Sequence, residues 1–135
     1  MTREHRAVQI NAEIEKGDDA LRAAEALVGI GLNDDAVTRF YYAAFHYAAA
    51  ALLSVDVEAT SHHGLQSLFS LHLVKTGALE VARAKDLKRL QGYREAADYD
   101  RHFRFTAEGA AEEATVARRF VESVRIYLRA GGWLA

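Results

Sequence analysis

At 135 residues, half of them hydrophobic and 27% charged, the chain has the composition of one globular domain rather than of a disordered segment. Its formal net charge of −2 provides no global basic field for nucleic acid, and the absence of cysteine excludes disulfides and thiolate chemistry. No apolar run approaches the roughly 18 residues of a membrane span, and the polar, mixed-charge start from Met1 to Arg6 is unlike a signal peptide, so the expectation is a soluble, cytoplasmic protein.

Proline is absent and alanine abundant, which leaves long helices unblocked. The first is expected from Arg3 to about Ile30, with Ile10, Ile14, Leu21, Ala24 and Val28 near one stripe. Gly17-Asp18-Asp19 is read as an interruption, with Asp18 as a restarting cap. Asn33 or Asp34 is expected to cap a second helix from about Asp35 to Ser54. Its run from Phe40 to Leu53 is apolar nearly all round, as suits the central helix of a bundle. After a connection over Val55 to Thr60, a shorter third helix begins at Ser61 and ends at Thr76-Gly77. The fourth is expected from about Glu80 to Tyr99, followed by a polar-aromatic loop from Asp100 to Phe105. Thr106 caps the fifth, in which Ala110, Ala114, Ala117, Val121, Val124 and Leu128 keep a helical period until Gly131-Gly132 stops it. The fold class expected is all-α: one domain, residues 1–135, forming an antiparallel bundle of about five helices.

Arg39, Tyr42 and His46, spaced three then four, share one face of the second helix. A polar stripe on an apolar helix needs partners, and Arg94 with Asp98 on the fourth helix is the expected counterpart across the contact. Open to solvent, such a seam would bind phosphate or nucleotide; sealed, it would be a structural network fixing helix register. His102, in the loop with Asp100, Arg101 and Arg104, is a further ligand-binding candidate, while Phe103 and Phe105 are expected to anchor that loop to the core. His62 and His63 are read as capping or surface histidines, since no metal-ligand spacing surrounds them. Glu112, Glu113, Arg118 and Arg119 are read as a solvated face; Trp133 and Leu134 are left open between packing on the bundle and packing on a partner. Neither a cofactor nor a metal is expected, and no glycine-rich phosphate loop or catalytic triad pattern stands out.

The segment from Asp35 to His46, with its arginine, paired tyrosines, alanine and phenylalanine-histidine, resembles one branch of the HEPN family. Three further blocks agree in order: His63-Gly64, Leu73 to Gly77, and Arg94-Glu95-Ala96-Ala97-Asp98-Tyr99. Together they cover about Glu13 to Leu128. The resemblance implies a helical bundle that dimerises and a partner of the minimal nucleotidyltransferase type, in a toxin–antitoxin pair. It also implies RNA or nucleotide as ligand. Many members are metal-independent ribonucleases, with an arginine followed after four to six residues by a histidine. This chain departs there: Asp98 or Tyr99 stands where the histidine would be sought after Arg94, and His102 lies eight residues on. Arg39 and His46 match the spacing formally but lie in the wrong helix. Arg94, Asp98 and Tyr99 are therefore the only catalytic candidates. The preferred expectation is a non-catalytic, dimeric binding module; the alternatives are a divergent ribonuclease toxin and a structural assembly protein.

Overall fold

The computed structural model describes residues 1–135. It contains five α-helices: α1 (Arg3–Gly29), α2 (Asn33–Ser54), α3 (His62–Phe69), α4 (Val81–Tyr99) and α5 (Ala107–Ala130), with a π-helical turn, Ser70–Val74, continuing α3. No strand is present, and no helix is long and apolar enough to cross a membrane.

Helix α2 is the centre of the bundle. Phe40, Tyr41, Ala43, Ala44, Tyr47, Ala48, Ala50, Ala51 and Leu52 are all fully buried, and α1, α4 and α5 each pack on it. Its alanines let those neighbours come close, and the rings of Phe40, Tyr41 and Tyr47 fill the space between them. Leu65, Phe69, Leu73, Leu87, Leu90, Phe120 and Leu128 complete one core. Thr2, Ser61 and Thr106 cap α1, α3 and α5 through their hydroxyls, each interaction being worth about 1 kcal/mol.

Several expectations are corrected. Helix α1 runs unbroken through Gly17-Asp18-Asp19. Gly17 is buried there because the Tyr47 ring lies against it: a Cβ would stand 2.7 Å from Tyr47 Cδ2. Asp18 is no cap; it accepts hydrogen bonds from Tyr47 Oη at 2.5 Å and Arg125 Nη2 at 2.8 Å. Neither Asn33 nor Asp34 caps α2, which begins after Leu32 without a side-chain cap. Both instead hold the loop before α5, Asn33 Nδ2 donating to the Phe105 carbonyl and Asp34 Oδ1 accepting from the Phe105 amide. Glu113 is only 2% exposed and takes both nitrogens offered by Arg89. Glu112, Arg118 and Arg119 are exposed as expected, Arg119 reaching buried Asp86 and Arg118 meeting Glu25, so Glu113 alone leaves the solvated face. Trp133 folds back onto the bundle, with the Arg3 guanidinium 3.9 Å from its ring centre.

Candidate functional site

The polar stripe of α2 splits between two neighbours. Tyr42 turns to α4, where its hydroxyl accepts a hydrogen bond from Arg94 Nη2 at 3.3 Å. His46 turns to α1 and pairs through Nδ1 with Glu13 Oε2 at 2.7 Å. The Arg39 guanidinium lies 4.6 Å from the Tyr42 ring centre, and Arg39, Tyr42 and His46 border a shallow depression with Lys16 and Asp19 of α1. Arg39 and His46 therefore do not face Arg94 and Asp98, because α1 covers that part of α2 and offers Glu13 to the imidazole.

Arg94 is the hub of the α4 side. Its guanidinium carbon stands 5.6 Å from the Tyr41 ring centre and 5.7 Å from that of Tyr42, a distance at which a cation is attracted by the ring face. Asp98, one turn on, brings Oδ2 to 3.3 Å from Arg94 Nε. That approach lies off the hydrogen-bond direction, so buried Nε has no hydrogen-bond partner. Tyr99 is 80% exposed at the end of α4. His102 is exposed in the following turn, where its amide bonds Asp100 Oδ1; its side chain makes no hydrogen bond to Arg94. Phe103 and Phe105 do anchor this turn, packing edge to face with each other at 4.9 Å, with Tyr93 set against Phe105 at 5.4 Å.

Two residues outside the expected seam belong to it in space. Tyr41 is fully buried, and its hydroxyl lies 2.6 Å from Nδ1 of His62, at the start of α3. The His62 ring packs 4.7 Å from Phe45 and 5.9 Å from Tyr42. His62 is thus half-buried in the aromatic wall, not a surface or capping group; Ser61 is the cap, through Gly64. Neighbouring His63 is exposed, with Nε2 3.7 Å from Glu95. Burial, then the positive charge of Arg94 and of His63, holds the His62 pKa below its ordinary value of 6.5. Burial also pushes the Tyr41 phenol well above its usual range, keeping it protonated. The one sequence signal for this pair is general: a buried tyrosine hydroxyl needs a partner. Nothing along the chain says that the partner lies 21 positions on.

A partly buried guanidinium, an imidazole and two phenols thus meet against an aromatic wall. Arginine carries charge and forked donors, while the two phenols are engaged with His62 and Arg94. No group of three or more His, Asp or Glu side chains is arranged to hold a metal ion.

A family model described as the HEPN domain matches residues 10–127. Among curated proteins, the chain is 30% identical over 115 residues to "Putative toxin MJ0142" of Methanocaldococcus jannaschii, covering 85% of this chain and 78% of that protein. It is 33% identical over 121 residues to "Putative toxin MJ0605" of the same organism, covering 90% of each. A protein of Gloeobacter violaceus, "UPF0332 protein glr0978", is 35% identical over 86 residues, covering 64% of this chain and 68% of that protein.

Proposed function

Because the chain belongs to the HEPN family, we propose that it is a dimeric binding module that works with a minimal nucleotidyltransferase in a toxin–antitoxin-type pair and takes a phosphate-bearing ligand, nucleotide or RNA, at Arg94. The observation that carries the ligand reading is Arg94 itself. Its guanidinium is pinned by Tyr42 and accompanied by Asp98, yet Nη1 makes no protein hydrogen bond. A cation held in place with a donor to spare loses little freedom on meeting an anion. Titration of the purified protein with AMP, ATP and a single-stranded RNA oligonucleotide tests this. Arg94→Ala, its fold checked by circular dichroism, is expected to weaken binding by about tenfold or more, as loss of a charged hydrogen bond does. Equal binding by both proteins contradicts the reading.

A ribonuclease toxin is the second reading, supported by the names of the two Methanocaldococcus relatives. Against it, no histidine follows Arg94 within six residues. The expected outcome is no RNA cleavage in the presence of a metal chelator. Cleavage that disappears in Arg94→Ala would promote the toxin reading.

A further inference from the structure

We infer that His62 is a second anion-binding group beside Arg94, held by Tyr41 as the Nε2–H tautomer so that its outer N–H and the Arg94 guanidinium address one phosphate group. The inference rests on the proposal that Arg94 takes a phosphate-bearing ligand, and it adds a residue from a different helix.

The argument begins with the phenol. Tyr41 is buried and protonated, and the one hydrogen-bonding group its hydroxyl meets is His62 Nδ1. A buried O–H left undonated is costly, so the phenol donates and Nδ1 accepts. The opposite arrangement, Nδ1–H donating to the phenol oxygen, would strand the buried phenolic proton. With Nδ1 as acceptor, the single proton of a neutral imidazole sits on Nε2. That nitrogen has no hydrogen-bond partner in the protein.

Position supports the same assignment. His62 and Arg94 pack on the same two rings: Tyr41 lies 5.6 Å from each, measured to the His62 ring centre and the Arg94 guanidinium carbon, and Tyr42 lies within 6 Å of each. The backbone amides of His62 and His63, in the first turn of α3, also have no partner, because Ser61 Oγ caps only Gly64. Two carboxylates stand nearby. Asp98 lies against the Nε side of Arg94, and Glu95 accepts from Gln91 Nε2 while facing His63. Both leave Arg94 Nη1 and His62 Nε2 without a protein acceptor. Tyr41 is a positioning residue in this scheme, acting only through His62.

Nuclear magnetic resonance on histidine-¹⁵N-labelled protein provides the test, with inorganic phosphate, AMP and a single-stranded RNA oligonucleotide as separate probes. In the wild type, His62 is expected as the Nε2–H tautomer, and phosphate is expected to move its resonances at concentrations that leave exposed His5 in place. Tyr41→Phe should return His62 to a mixture of tautomers and weaken phosphate binding several-fold. His62→Asn, at an accessible helix start, keeps the test intact should Tyr41→Phe fold poorly; it is expected to weaken binding by about tenfold. An Nδ1–H tautomer in the wild type, or His62 resonances that no probe moves, overturns the inference. Nucleotide binding that Arg94→Ala abolishes but His62→Asn leaves unchanged also overturns it, and leaves the Arg94 reading standing. Phosphate that moves His62 while AMP and RNA bind nowhere sustains the inference and removes the nucleotide reading.

Discussion

Gly17 and Tyr47 explain why a glycine persists inside a 27-residue helix. An added Cβ would stand 2.7 Å from Tyr47 Cδ2, 2.9 Å from Cε2 and 3.4 Å from the Ala43 carbonyl oxygen. The ring cannot step aside, because it is fully buried and its hydroxyl is tied to Asp18 and Arg125. Alanine normally gains about 1 kcal/mol over glycine in a helix interior, but overpacking of this kind costs about 1–3 kcal/mol. Gly17→Ala is therefore expected to lower the denaturation midpoint, whereas Gly92→Ala, where a Cβ meets nothing, should raise it. Chemical denaturation of the two variants side by side checks both signs.

His62 gives a residue-scale expectation in pH. Its folded pKa lies below 6.5, so on acidification the unfolded chain takes up this proton first. Its contribution is thus a loss of stability that begins as pH falls through 6.5 and is complete below the folded value. The groups around it are Tyr41, Arg94, His63, Glu95 and His46. A resonance titration in phosphate-free buffer should place the His62 midpoint below 6.5; a midpoint above it contradicts the account. This environment was not legible in the sequence. Spacing along α2 identified Arg39, Tyr42 and His46 as one face, but one helix face can be shared by two neighbours, and periodicity says nothing about which.

At the scale of elements, α4 and α5 are joined by two reciprocal bidentate pairs. Arg119 of α5 grips Asp86 of α4, at 2.6 and 3.3 Å, and Arg89 of α4 grips Glu113 of α5, at 2.6 and 2.8 Å. Asp86 also faces Arg83 Nε at 3.0 Å, and both side chains are largely buried. Neutralising Asp86 leaves two guanidinium groups with reduced compensation, and breaking a buried pair costs about 3–5 kcal/mol. Asp86→Asn is expected to approach that cost in urea denaturation, while a double change of Arg118 and Glu25, a more exposed pair, should stay within about 1 kcal/mol. The helices themselves were readable because caps and apolar periods are local signals: Thr106, the α5 stripe and the apolar run of α2 all sit where expected. The π turn at Ser70–Val74 and the burial of Glu113 were not, since the turn packs on α2 and α4 and Glu113 is met by Arg89 of α4, neighbours that local signals do not reveal.

At the scale of the whole molecule, the remaining question is which surface a dimer would use. Trp133 was open between the bundle and a partner on sequence alone, because two glycines precede it and leave its direction free. In the fold it lies under Arg3 and Arg6, whose guanidinium carbons are 3.9 and 5.2 Å from its ring centre. Arg3 Nη2 also donates to the Gly131 carbonyl at 2.7 Å, closing the chain's end onto its start. Trp133 is thus part of the intramolecular packing, and the dimer we propose would draw on other apolar side chains. Exposed ones include Val8, Leu71, Val81, Tyr99 and Ile126. Two measurements follow from this assignment. Light scattering at micromolar concentration should give twice the 14.9 kDa chain mass. Trp133→Ala should lower stability by about 1–2 kcal/mol, the loss of two stacked cations, without changing the measured mass. A monomeric wild type removes the dimer from the proposed function, and a dimer that dissociates only in Trp133→Ala would mean that this ring serves the partner after all.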